Sequence, residues 1–436
     1  MRIRTESSTP DAPASAPDTV APVAVAPPRF PGADLLDQAV TADVLFRVWS
    51  GDPAVIVPSP PGAGKTRLVV LLAAALAHRA GLRVAIAAQT RAQARQIAQR
   101  LAAVSDERAR LIVSAKDRDL TSTDAGLGVV RGRQIAWPRS GGGIMVATAA
   151  RWLFAKPQEL QADVLIVDEA WQCTYGDLGA LACMASQVVL VGDPGQIAPV
   201  VTGETRRWEQ SSTGPQVPAP DGLLAEHGDA LAVVRMRQTW RLGPETTALV
   251  SGAFYAPAGL PFTSRRPSEH LVTADGESVG EIAHRDVLTT SGPGDPALAV
   301  AAATRVREVL TCSVVTNDGT SPMCDEDVAV VVPHVAQASQ VRALLAADAP
   351  GVLVGTANAL QGLERRAVVA YHPLVGRRQV TTFAVEAGRA CVMLTRHRAH
   401  LTVICDPASP DLSEANDHDM RSLAAVTARL EETSEA

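Results

Sequence analysis

SPPGAGKT, Ser59 to Thr66, lies between the apolar run AVIV (54–57) and TRLVVLLAAALAHRAG, which starts at Thr66 and closes at Gly81. The first run reads as a buried strand and the second as a buried helix, so the glycine-rich loop joins a strand end to a helix N-terminus. That context gives the loop its chemistry. Gly62 and Gly64 let backbone N–H groups turn inward around phosphates, Lys65 neutralises the terminal ones, and Thr66 offers a hydroxyl to Mg2+. Pro61, Gly62, Ala63, Gly64, Lys65, Thr66 and Arg67 are therefore the candidate nucleotide loop, with Ser59 standing where the strict pattern has glycine. Lysine occurs only at positions 65, 116 and 156, although the chain has 40 basic residues. A sequence that writes arginine almost everywhere has kept lysine where a phosphate loop requires it.

Outward from the loop, apolar runs repeat without polar alternation at VAIAA (84–88), IMVA (144–147), VLIV (164–167) and VVLV (188–191), separated by helical stretches. Such strands belong to a parallel sheet covered on both faces. VLIVDEAWQ (164–172) sets Asp168 and Glu169 at the end of one of them, where a parallel sheet presents residues to its ligand. Asp168 is a candidate to hold Mg2+ and Glu169 to orient and deprotonate the attacking water. After a polar stretch from Thr202 to Asp229 the pattern resumes with VAVVV (328–332), VLV (352–354), AVVAY (367–371) and LTVI (401–404), a second α/β unit.

The 436 residues suit two domains, and 47% hydrophobic with 20% charged residues places the chain among globular proteins. Residues 1–30 read as a disordered tail rich in Pro, Ala, Ser and Thr, and 411–436 as an acidic tail with one short helix. The N-terminus lacks the pattern of a signal peptide, and no apolar run is long enough to span a membrane, so a cytoplasmic setting without membrane contact is expected. Six scattered cysteines form no CxxC pair and signal neither zinc nor a disulfide framework. With a net charge of -6 no global basic field advertises nucleic acid, so such a partner has to be held locally.

Several stretches, in order, resemble the motifs of superfamily 1 helicases, particularly the 5′-to-3′ branch of RNA-surveillance and DNA-replication helicases, in compact form. LLDQAV (35–40) is similar to the adenine-reading motif, which makes Gln38 the base contact, and AAQTRAQA (87–94) to motif Ia, whose Thr90 touches a nucleic-acid phosphate. VGDPGQIAPV (191–200) resembles the third motif, with Gln196 sensing the γ-phosphate. RQTWRLGPE (237–245) resembles the fourth, with Arg241 reaching across the cleft. GTANALQGLE (355–364) resembles the fifth, implying Glu364 on the ribose and Thr356 and Gln361 near the tracked strand. GRACVMLTRHR (388–398) resembles the sixth, with Arg396 as arginine finger. Ala198 and Trp240 depart from the family pattern.

The expectation is two RecA-like P-loop domains with parallel sheets, at 31–228, with a short insertion about 105–143, and at 229–410, the ATP site lying in the cleft between them. ATP and Mg2+ are the implied cofactors, and single-stranded DNA or RNA the implied partner. The reaction expected is ATP hydrolysis coupled to movement along a strand. A nucleotide-gated switch that recruits a protein partner such as a nuclease is the alternative. Arginines such as Arg377 and Arg378 are candidate phosphate contacts, and Trp137, Trp152, Trp171 and Trp208 candidate stacking platforms, with Trp152 the one that reads as core.

Overall fold

Every residue of Ala54–Pro58 is buried, as expected of an interior strand between two layers of helices. A computed structural model of the chain describes residues 29–105, 108–114, 128–131, 135–139, 141–201, 203–412, 414 and 417–434; of the tail expected at 1–30, residues 1–28 lie outside them, while Arg29 is described and pairs with Asp37. In the first lobe, β1 (Ala54–Pro58), β2 (Arg83–Ala88), β3 (Ala109–Val113), β4 (Val129–Arg131), β5 (Gly143–Thr148), β6 (Ala162–Asp168), β7 (Ala185–Gly192) and β8 (Ala232–Val233) form one sheet. Its order is β4-β3-β5-β2-β6-β7-β1-β8 and all pairings are parallel. The segment expected as an insertion thus supplies β3 and β4 at one edge. The opposite edge carries a correction: β8 extends this sheet past the boundary expected at 228. Val234 and Met236 donate backbone N–H groups to the Ile56 and Pro58 carbonyls, so the chain leaves the first lobe along the strand that carries the phosphate loop.

The second lobe opens with the parallel pair β9 (Gln238–Thr239) and β10 (Thr263–Ser264). Two sheets follow. β11 (Glu269–Val272), β12 (Ser278–Val279), β14 (Ser313–Thr316) and β15 (Gly319–Pro322) make a small antiparallel one that the sequence did not announce. β13 (Ile282–Asp286), β16 (Val328–Val332), β17 (Leu353–Thr356), β18 (Arg365–Tyr371) and β19 (His397–Cys405) make a parallel one ordered β13-β19-β18-β16-β17. The architecture is two RecA-like α/β lobes.

Ahead of the phosphate loop, residues 33–50 form a 3-10 turn, Ala33–Asp37, and a helix, Ala39–Ser50, separated where Gln38 adopts extended backbone. The acidic tail is no appendage: the helix His418–Ser434 buries Leu423, Val426 and Leu430 in the core of the second lobe. Each such side chain contributes about 1.5–3 kcal/mol by leaving water. Among the described residues no helix is long and apolar enough to cross a membrane.

Candidate nucleotide cleft

Gly64 is the N-cap of the helix Lys65–Arg79 and, like Gly62, has positive φ, 90° and 71° respectively. The loop therefore bends where L-side chains are disfavoured and leaves the first N–H groups of the helix directed into a cleft. Gly62 is also needed for space. A Cβ there would stand 2.3 Å from Arg241 Cβ and 2.8 Å from Thr239 Oγ1. The second lobe uses that closeness: the Trp240 N–H donates to the Gly62 carbonyl at 2.9 Å, and the Thr239 hydroxyl to the Pro61 carbonyl at 2.7 Å. The stretch resembling motif IV thus clasps the phosphate loop through its backbone.

One cavity of about 530 Å³ takes its lining from both lobes. Gly62, Ala63, Gly64, Lys65, Thr66, Arg67, Asp168, Glu169 and Gln196 come from the first, and Arg241, Glu364 and Arg396 from the second. Residues not singled out from sequence join them: Gln93, Gln96, Arg100, Arg365 and Arg398. Seven cations (Lys65, Arg67, Arg100, Arg241, Arg365, Arg396, Arg398) face three acids (Asp168, Glu169, Glu364), an excess of four positive charges in an acidic chain. That is the electrostatics of a polyanion site.

Asp168 ends β6 and is 3% exposed; burial, then the Glu169 charge, pushes its carboxyl up to about 7, and Oδ1 has no hydrogen-bond partner. A buried, unpartnered acidic oxygen in the cavity that Thr66 also lines is a donor set suited to a hard divalent cation. Glu169 has φ 53°, the only positive value at a non-glycine among the described residues, in the turn that carries its carboxylate to the cavity wall. Backbone in that region costs of order 1–3 kcal/mol.

The cations are held by protein acceptors. Lys65 Nζ meets the Ser59 and Pro60 carbonyls at 3.5 and 3.4 Å and Asp193 Oδ2 at 3.3 Å. Arg241 Nε donates to Glu364 at 2.5 Å and Nη1 to the Thr395 carbonyl at 3.4 Å. Burial works to raise the Glu364 carboxyl, but Arg241 outweighs it and holds it below the usual range. Arg396 is 2% exposed, its Nε on the Val392 carbonyl and its Nη2 on Thr395 Oγ1. Burial and the neighbouring Arg241 lower its guanidinium to about 10, so it stays charged at neutral pH.

Other sequence candidates fall elsewhere. Gln38 is exposed and outside the lining, and Pro61 contributes only its carbonyl, to Thr239. Thr90 exchanges hydrogen bonds with Gln93 and caps the helix Arg91–Ser105, which uses its hydroxyl locally. Thr356 ends β17, where its Oγ1 accepts from the Ala359 N–H at 3.4 Å. Gln361, expected beside a nucleic-acid strand, donates instead to Gln196 Oε1 across the cleft at 3.3 Å. Trp137, Trp152 and Trp171 are buried, which removes them as stacking platforms; Trp208 remains part-exposed under Arg207. Arg378 is spent on Asp406 and Thr289, and Arg377 on His334. Sequence reasoning missed Asp193, Thr239 and Tyr255. Asp193 stands in the quoted VGDPGQ stretch and carried a signal; Tyr255 carried none.

Fold and cleft together define a two-lobed P-loop nucleotide-binding protein. One AAA domain family model matches residues 44–218 and a second, different AAA domain model matches 225–408, one per lobe. The DNA-binding protein SMUBP-2 of Rattus norvegicus is 25% identical over 262 residues, covering 56% of this chain and 25% of the relative. Its counterpart in Mesocricetus auratus is 25% identical over 261 residues with the same coverage. The chain thus spans about a quarter of the length of these curated relatives. Among solved structures, arterivirus nonstructural protein 10 (helicase) aligns with TM-score 0.44 and 15% identity, over 84% of this chain and 62% of that one. Its complex with DNA aligns with TM-score 0.43 and 16% identity, over 85% and 65%. The chain belongs to the superfamily 1 helicases, on the paired AAA domain matches and the ordered motifs.

Proposed function

We propose that this chain is an ATP-driven motor of the 5′-to-3′ branch, a helicase or translocase that moves along single-stranded DNA or RNA. One observation carries the reading: a single cleft combines the phosphate loop and paired acids of the first lobe with Arg241 and Arg396 of the second. In this scheme Lys65 and the loop N–H groups hold the phosphates. Thr66 and Asp168 hold Mg2+, which supplies charge neutralisation at the transferring phosphate. Glu169 orients the attacking water and accepts its proton, and Gln196 senses the terminal phosphate. Glu364 turns to the ribose once phosphate oxygens compete for Arg241, because guanidinium–phosphate pairs are charge-assisted and bidentate. Arg241 and Arg396 stabilise the transition-state charge, so hydrolysis requires the lobes to close on the nucleotide.

The Gln361–Gln196 contact favours a motor over a passive switch, because it joins the fifth-motif stretch to the phosphate sensor across the cleft. The test is ATPase activity against a panel of single- and double-stranded DNA and RNA, with wild type and Glu169→Gln. Single strands should stimulate wild type, and the variant should lose about 10^2–10^4 in turnover while still binding ATP. Hydrolysis indifferent to every single strand refutes the motor.

A further inference from the structure

Asp193 lies at the end of β7 with a fully buried side chain, 0% exposed, and gathers partners from three places. Lys65 of the phosphate loop reaches Oδ2 at 3.3 Å. Gln196 donates its amide to the same oxygen at 2.7 Å, and the Gly195 N–H donates to Oδ1 at 3.1 Å. The fourth partner belongs to the other lobe: the Tyr255 hydroxyl donates to Oδ1 at 2.6 Å. Tyr255 is 2% exposed and ends the π-helical turn Ser251–Tyr255, a backbone form that recurs at functional sites. Its ring packs edge-on against Phe262 at 5.0 Å, and Gly195 is glycine because a Cβ there would stand 2.5 Å from the tyrosine ring. Fit, burial and a short bond to a charged acceptor set this contact apart from ordinary interlobe packing.

We infer that Asp193 and Tyr255 form a relay by which the second lobe reads whether the phosphate-loop lysine is engaged by nucleotide. This rests on the ATPase reading above. Lys65 holds only long contacts, to two carbonyls and to Asp193. Phosphate oxygens offer it shorter, charge-assisted bonds. When the ammonium turns to them, the buried Asp193 carboxylate loses a cation, and its charge rests on the remaining neutral donors. A carboxylate that cannot reach water then holds those donors more tightly. Two of the neutral donors belong to its own turn, and Tyr255 alone comes from the second lobe. Nucleotide arrival thus tightens a bond across the cleft, and a strand on the second lobe senses it. By reciprocity the strand alters nucleotide affinity by the same factor. Tyr255 is a positioning residue here, acting through Asp193.

The experiment measures affinity for a non-hydrolysable ATP analogue with and without a single-stranded oligonucleotide, and the converse, for wild type and Tyr255→Phe. The variant keeps the ring and removes the donor. Each ligand alone should bind it about as it binds wild type, while the factor by which one alters the other falls on the order of tenfold, the scale of a hydrogen bond to a charged group. Because the chain has three tyrosines, protein labelled with 3-fluorotyrosine gives three ¹⁹F resonances. The Tyr255 resonance, assigned by elimination with Tyr175→Phe and Tyr371→Phe, should shift when the analogue binds, a readout that does not require Tyr255→Phe to fold. Unaltered coupling in Tyr255→Phe, or an unmoved resonance, overturns the relay and leaves the motor standing. Wild type whose ATPase ignores every single strand overturns the motor, and the relay with it.

Discussion

Asp168→Asn should stabilise the ligand-free protein while abolishing its hydrolysis. Burial and the adjacent Glu169 raise the Asp168 carboxyl from 3.8 to about 7. Below about pH 4 the side chain is neutral in both folded and unfolded chains. From there to pH 7 only the unfolded chain releases the proton, so wild type loses stability as pH rises, and the loss is complete above 7. About three units at roughly 1.36 kcal/mol each come to about 4 kcal/mol at pH 8, and to between about 1 and 2 kcal/mol at pH 5. Asparagine has the same shape and no proton to lose, so the variant escapes the whole term. For a lobe of this size the pH 8 gain corresponds to a rise on the order of 10 °C in Tm. The assay is thermal unfolding of both proteins at pH 5 and pH 8, without nucleotide or Mg2+. Mg2+ with a non-hydrolysable analogue should then raise the Tm of wild type far more than that of the variant. Equal melting at pH 8, or an advantage that ignores pH, refutes the argument that burial makes Asp168 costly and leaves it awaiting a cation.

Two further outcomes follow from the second lobe. Arg396→Ala should slow hydrolysis by about 10^3–10^5 at saturating ATP while changing nucleotide affinity much less, as pre-steady-state turnover and analogue binding would register. Leu423→Ala, in the C-terminal helix, should cost about 2–5 kcal/mol by leaving a cavity in the core of the second lobe. Chemical denaturation measures it, and a change under about 0.5 kcal/mol would mean that the helix does not belong to that core.

Much of the cleft was legible because its chemistry is local. A phosphate loop needs glycine, lysine and a hydroxyl at fixed spacing between a strand and a helix, and Asp168–Glu169 needs only a strand end. Five strands of the first parallel sheet and four of the second were legible for the same reason, since an apolar run without alternation marks burial on both faces. β3 and β4 were not: β4 is a three-residue edge strand with little apolar signal, and β3, whose apolar run 111–113 is paired on both sides, fell inside the stretch read as an insertion. The C-terminal helix was hidden by composition, because the acids scattered over 411–436 set the reading of a tail while three apolar residues at spacings of three and four do the packing.

Sequence by itself thus determined the two α/β units, the phosphate loop and the order of the motifs, all set by spacing along a few neighbouring residues. Only the tertiary structure decided which groups meet across the cleft. It paired Arg241 with Glu364, set Gln361 on Gln196, and brought Tyr255 to Asp193, 62 residues away. Such contacts depend on how two lobes pack, and a hydroxyl on a buried ring looks the same in sequence whether its partner is a carboxylate or nothing at all.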